Sequence, residues 1–197
     1  MKLRRVVVVA LMSALTTWVG NAQKATPKYG LDNGETPQVE IPLYFQLVHA
    51  NAPPGDCGCF WMTGGGGGLV YNIDRHWSAV ADFLGAHAGG INGGSEDLTI
   101  FNYQFGPRYS YRNHTRYTPY GQALLGGSNV SSNNAVYGSG KNVFGSTLGG
   151  GFNVRLSDHF AVIPLEASWM FSQAPNNDND RQNNLRLSFG MVLRFAR

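Results

Sequence analysis

At 197 residues, the chain suits a single domain. Its 15 basic and 12 acidic residues give a formal net charge of +3. Lys2, Arg4 and Arg5 fall in the first 22 positions, where no acidic residue stands, so the rest of the chain is balanced. That balance leaves no basic footprint for nucleic acid, and beyond residue 22 no window approaches the ~20 apolar residues of a spanning helix.

The chain opens with basic residues, an apolar run from Val6 to Met12, and Gly20-Asn21-Ala22 with small residues at the cleavage offsets. This pattern predicts a secretory signal peptide over 1–22, its apolar run being short for a span. No cysteine follows it directly, so a lipoprotein anchor is not expected. Residues 23–37 are polar, aperiodic and carry Lys, Pro, Gly and Asn, which predicts a flexible lead-in. Residues 38–197 remain for the folded domain.

Strand periodicity starts at Val39, with Ile41, Leu43, Phe45 and Leu47 on the same face. A loop from Asn51 to Cys59 follows. It holds the only two cysteines, Cys57 and Cys59, as C-G-C. Export makes oxidation plausible, so a local loop disulfide or two thiols is the reading, with too few ligands nearby for a metal. The second strand contains Gly64 to Gly68. No Lys-Ser/Thr follows and no helix opens there, so close strand packing is preferred to a phosphate cradle.

A tight turn over Asn72 to Trp77 leads to a third strand, Trp77 to Ala88, and then to a glycine-rich loop, Gly89 to Asp97. The fourth strand sets Thr99, Phe101, Tyr103, Phe105, Pro107, Tyr109 and Tyr111 against Asn102, Gln104, Gly106, Arg108 and Ser110. Arg112 to Arg116 turns. The fifth strand spans Tyr117 to Gly127, and a long Asn/Ser/Gly loop fills Ser128 to Asn142. The sixth runs Val143 to Leu156 and the seventh His159 to Phe171. In the seventh, Ala161, Ile163, Leu165, Ala167, Trp169 and Phe171 are expected outward and Glu166 inward. A polar loop over Gln173 to Asn184 precedes the last strand, Leu185 to Phe195, whose apolar parity is unbroken.

Connections therefore alternate long and short, the cadence of a transmembrane barrel with loops at one end and turns at the other. Each strand is long enough to cross at a tilt, for which about 9–11 residues suffice. Trp61, Trp77, Tyr109, Tyr111, Tyr117 and Trp169 stand near strand ends, where interfacial girdles lie. The predicted fold is all-β: an eight-stranded antiparallel transmembrane up-and-down β-barrel. A secreted lipocalin-like barrel would invert the pattern. Here the inward parity carries Glu40, Asp82, Arg108, Arg155, Glu166, Arg186 and Arg194, a lumen charge network.

Three segments resemble one family. They are Y-N-I-D-R-H-W-S-A-V-A-D-F (Tyr71–Phe83), F-G-P-R-Y-S-Y-R (Phe105–Arg112) and the closing strand. Across nearly the whole mature chain the likeness is to the small OmpA-like/OmpX-like outer-membrane β-barrel family. In the closing strand, Ser188, Gly190, Leu193 and Phe195 fill the family's C-terminal assembly signal. Leu193 stands where an aromatic is usual, and Ala196-Arg197 follow the terminal Phe195. The resemblance implies a Gram-negative-type outer membrane, outer-membrane lipids and the barrel-assembly machinery as partners, a periplasmic lead-in, and loops facing outward to an unknown extracellular ligand. No cofactor, metal site or catalytic residue is expected. No wall-binding domain is expected after Phe195.

A lipid-modifying barrel hydrolase would need His, Ser and an acid together. His159 and Ser168 lie too far apart, Glu166 points inward, and His87 with Asp97 lacks a nucleophile. Two readings remain. One is a structural or surface-interaction protein with a filled lumen; the alternative is a narrow porin-like pore for small polar solutes. About eight strands leave an interior that side chains just fill, which favours the first. A loop between the third and fourth strands centred near Ser95 would set Asp82 opposite Arg108, and barrel closure would bring Glu40 to Arg194.

Overall fold

The computed structural model describes residues 36–50, 59–91, 97–113, 115–132, 140–174 and 181–195. The predicted signal peptide, nearly all of the lead-in, Cys57 and its pairing with Cys59, His114, Asp178–Asp180 and Ala196-Arg197 lie outside the described residues. Cys59 is exposed at the head of the second strand.

Eight strands form one closed antiparallel barrel in sequence order. They are β1 (Val39–Ala50), β2 (Phe60–Asn72), β3 (Trp77–Ala88), β4 (Leu98–Ser110), β5 (Tyr117–Ser132), β6 (Lys141–Arg155), β7 (Phe160–Ser172) and β8 (Gln182–Phe195). Closure is by β1 on β8, from Val39↔Phe195 to His49↔Leu185. Every strand is thereby paired on both sides, which removes the exposed edges that would attract other chains. The short connections after β2, β4 and β6 share one end with the start of β1 and the end of β8. The longer ones, after β1, β3, β5 and β7, share the other.

Alternation explains the wall. On β4, Phe101, Phe105 and Tyr109 are exposed while Asn102, Gln104 and Arg108 are buried. The same inversion of ordinary globular burial runs around the barrel, with Leu43, Phe83, Leu125, Leu148 and Phe189 outside. An apolar exterior over a polar interior is stable only where lipid replaces water outside. Trp61, Trp77, Tyr109, Tyr111, Tyr117 and Trp169 are all exposed towards strand ends.

Three expectations need correction. The loop predicted from Ser128 to Asn142 is shorter, because β5 continues to Ser132 and β6 starts at Lys141; Asn129 Nδ2 donates to Asn142 Oδ1 at 2.9 Å across that extension. Likewise β8 begins at Gln182 rather than Leu185. In β7, Ala161 and Ile163 face inward, at 2% and 1% exposure, not outward. The cause is a bulge. Phe152↔Leu165 is followed by Val154↔Val162, and Ile163↔Gly190 by Glu166↔Ser188, so β7 holds one extra residue against both neighbours. Pro164, which has no N–H to give the ladder, and Leu165 both turn outward there, and strand parity reverses across them.

The last strand's glycine has a packing reason. A Cβ on Gly190 would come within 2.7 Å of Tyr44 Cα on the facing strand, so the seam closes only without a side chain at this point.

Candidate functional site: the lumen

The inward face is stratified along the barrel axis. At the loop end, Val48, Met62, Ala86, Leu98, Ile100, Val130 and Met170 form one packed apolar cluster. They are almost fully buried and pack against one another. Partly buried Phe60, Ile91 and Val143 pack against its rim.

Below the collar lies Arg186, with no exposed surface. Its Nη1 donates to Asp82 Oδ2 on β3 at 3.2 Å, and its Nη2 to Glu166 on β7 and to Ser168 Oγ at 3.2 Å. Glu166 is further satisfied by the Tyr120 hydroxyl at 2.6 Å, Ser168 Oγ at 3.1 Å and Gln122 Nε2 at 3.3 Å. Gln122 Oε1 in turn accepts from Arg108 Nε and Nη2 at 2.9 and 2.6 Å, and Arg108 lies 4.2 Å over the Tyr120 ring. One bonded path thus crosses the lumen from β3 through β8 and β7 to β5 and β4. Its two carboxylates and two guanidiniums balance. An unpartnered buried carboxylate costs several kcal/mol, which is why the set is joined rather than scattered.

A second constellation occupies the turn end. Glu40 receives Arg112 Nη2 at 3.2 Å and Arg194 Nε at 3.3 Å. Arg112 also reaches Asn72 Oδ1 and the Arg75 carbonyl at 3.2 Å each. Asn72 accepts from Ser78 Oγ at 2.6 Å and donates to the Pro37 carbonyl at 2.7 Å. The gap bordered by Glu40, Arg112, Asn153, Arg155 and Arg194 measures only about 10 Å³, room for about one water.

The predicted charge positions thus sort into two clusters. Asp82, Arg108, Glu166 and Arg186 share the central one, and Glu40 and Arg194 share the mouth, with Arg155 at its border. Glu40 and Arg194 are Cα partners across the seam. Asp82 and Arg108 do not meet. Strand pairing extends to Ala88↔Leu98, so the hairpin is centred before Ser95, and Asp82 faces Gln104 while Arg108 faces Ser78. Arg186 takes the place assigned to Arg108. Arg112, expected in a turn, is the residue that sequence reasoning missed. It continues the inward parity of Arg108 and Ser110 one step beyond β4, and that continuation was the available signal.

The assembly-signal positions divide by face. Ser188 is buried and Gly190 closes on Tyr44, while Phe195 is exposed at the turn end. The candidate enzyme groups are placed as follows. Ser168 and Glu166 are bonded inside the central cluster, whereas His159 sits in the turn between β6 and β7. His87 Nδ1 pairs with Thr99 Oγ1 at 2.9 Å on the exterior. Among the described residues no three His, Cys, Asp or Glu side chains gather as a metal site.

Comparison with known proteins agrees with this architecture. Residues 7–195 match the family model described as Outer membrane protein beta-barrel domain. No curated protein sequence matches the chain. Among solved structures, Neisserial surface protein A superposes with a TM-score of 0.62 at 14% identity, covering 80% of this chain and 97% of that one. Ail, the attachment invasion locus protein of Yersinia pestis, gives 0.51 at 15% identity over 80% and 96%. The outer membrane protein OprG from Pseudomonas aeruginosa gives 0.51 at 12% identity over 83% and 98%.

Proposed function

The chain belongs to the outer membrane protein β-barrel domain family, and from that premise we propose that it acts as a plugged anchor in the outer membrane. In this reading it has a structural or surface-interaction role: the barrel holds the four long connections at the cell exterior, and the lumen carries no solute. The short turns and both barrel termini then face the periplasm.

One observation carries this reading: Arg186 is wholly buried and ion-paired to two different strands. A solute passing the barrel would have to separate those pairs, and breaking a buried pair costs about 3–5 kcal/mol. The apolar collar above it adds a second seal, since water gains nothing by entering a packed hydrocarbon layer.

Planar-bilayer recording tests the proposal. Purified protein is expected to insert without discrete conductance steps, and Arg186→Ala combined with Met62→Ala is expected to produce them. Reproducible steps from the unaltered protein would replace this reading with the narrow pore.

A further inference from the structure

The outer wall is not uniformly convex. Across β5, β6 and β7, the outward positions Gly121, Gly150 and Ala167 stand in one row, with Gly121↔Gly150 and Gly150↔Ala167 as register partners. Pro119, Phe152 and Leu165 form the next row towards the periplasm, and Tyr117 closes it at the rim. Gly150, Ala167, Pro119, Phe152, Leu165 and Tyr117 border an apolar cleft of about 450 Å³, within the ~300–1,000 Å³ range of ligand pockets, and Gly121 stands beside it in the row of Gly150.

Two features build it. A Cβ on Gly150 would collide with the Tyr120 carbonyl, so strand packing itself keeps the floor bare. The β7 bulge throws Pro164 and Leu165 out on the same side, which raises one wall. Ala167 forms the other side of the floor, and its small side chain faces outward into the cleft.

We infer that this cleft seats one acyl chain of a periplasmic-leaflet phospholipid and retains it as a bound lipid. The cleft is continuous with the lipid-facing wall, so hydrocarbon is what meets it. Strand geometry places it in depth. At about 3.4 Å per residue and a tilt near 45°, Gly121 stands about 10 Å above Tyr117, within the ~15 Å of one leaflet's hydrocarbon. A notch in a wall otherwise studded with Leu148, Trp169 and Phe152 loses dispersion contacts unless something flexible fills it. An acyl chain has that flexibility, whereas the convex wall of a second barrel would bridge the notch. This inference rests on the membrane orientation and is independent of whether the lumen conducts.

The test is phospholipid retention after extraction in mild detergent and extensive washing, read by native mass spectrometry. The unaltered protein is expected to keep one phospholipid per chain. Ala167→Leu fills the cleft and is expected to lower retention at least tenfold while preserving the heat-dependent gel shift of a folded barrel. Ala123→Leu, on the same wall outside the cleft, is expected to retain lipid normally. Equal retention by Ala167→Leu and the unaltered protein overturns the inference. So does retention of lipopolysaccharide in place of phospholipid, or a dimer in the unaltered protein that Ala167→Leu dissociates.

Discussion

The two buried clusters inside the barrel are held by different physics. At the long-loop end, Val48, Met62, Ile100, Val130 and Met170 pack as an apolar layer, and such a layer needs only the right volume. Nearer the turn end, Arg186, Glu166, Asp82, Gln122 and Arg108 are joined by hydrogen bonds and ion pairs, although Asp82 Oδ1 and Arg186 Nε make none. The first arrangement is non-directional and forgiving. The second is directional, and a defect in it leaves a charge stranded.

The largest effect that would sharpen this contrast is the loss of Arg186. Arg186→Ala is expected to destabilise the barrel by about 3–5 kcal/mol, read as the urea midpoint in detergent micelles at constant slope. A loss of under 1 kcal/mol would show that the carboxylates are hydrated after all. Next comes the identity of the partner. In double-variant cycles, Asp82→Ala and Arg186→Ala are expected to couple by about 1–3 kcal/mol, and Asp82→Ala with Arg108→Ala by much less. Arg186→Lys should follow at about 1–3 kcal/mol, because one ammonium replaces a fork that holds two carboxylates on two strands.

Met62→Leu probes the other cluster, where a volume-conserving change should cost less than about 1.5 kcal/mol. A larger loss than Arg186→Lys would collapse the distinction. The smallest effect belongs to the turn after β2. Asp74 accepts from the backbone N–H of Trp77 and of His76 at 2.7 and 2.6 Å, and these bonds hold its carboxyl below the ordinary carboxylate range. A depressed folded-state value stabilises above the unfolded carboxylate range, near pH 4, and that contribution fades as pH falls through the folded value. Asp74→Asn keeps the acceptor without the charge, so its stability should vary slightly less with pH below about 4.

Strand number, order and inward parity were legible because each strand repeats the same two-residue period, and Leu185 to Phe195 shows it without a break. The β7 reversal was not, since a period-two pattern runs straight through Pro164; the proline itself was the warning. Strand ends beyond Ser128 and before Leu185 were hidden by polar residues that read equally as loop. The partner of Asp82 was out of reach for another reason. Hairpin arithmetic finds neighbours along the wall, whereas Arg186 meets Asp82 across the interior, where tilt and stagger around the whole ring decide who faces whom.

The lumen bonds also set an order of events. Arg186 and Asp82 stand 104 residues apart, and Glu40 and Arg194 stand 154 apart. Neither pair forms from local structure, and loop-closure entropy must be met before either gives anything back. Until β1 meets β8, these charges have no complete set of partners inside a hydrocarbon environment that penalises them. A curled but unsealed sheet leaves Glu40 without Arg194, so closing the seam and completing this set of lumen partners are one event.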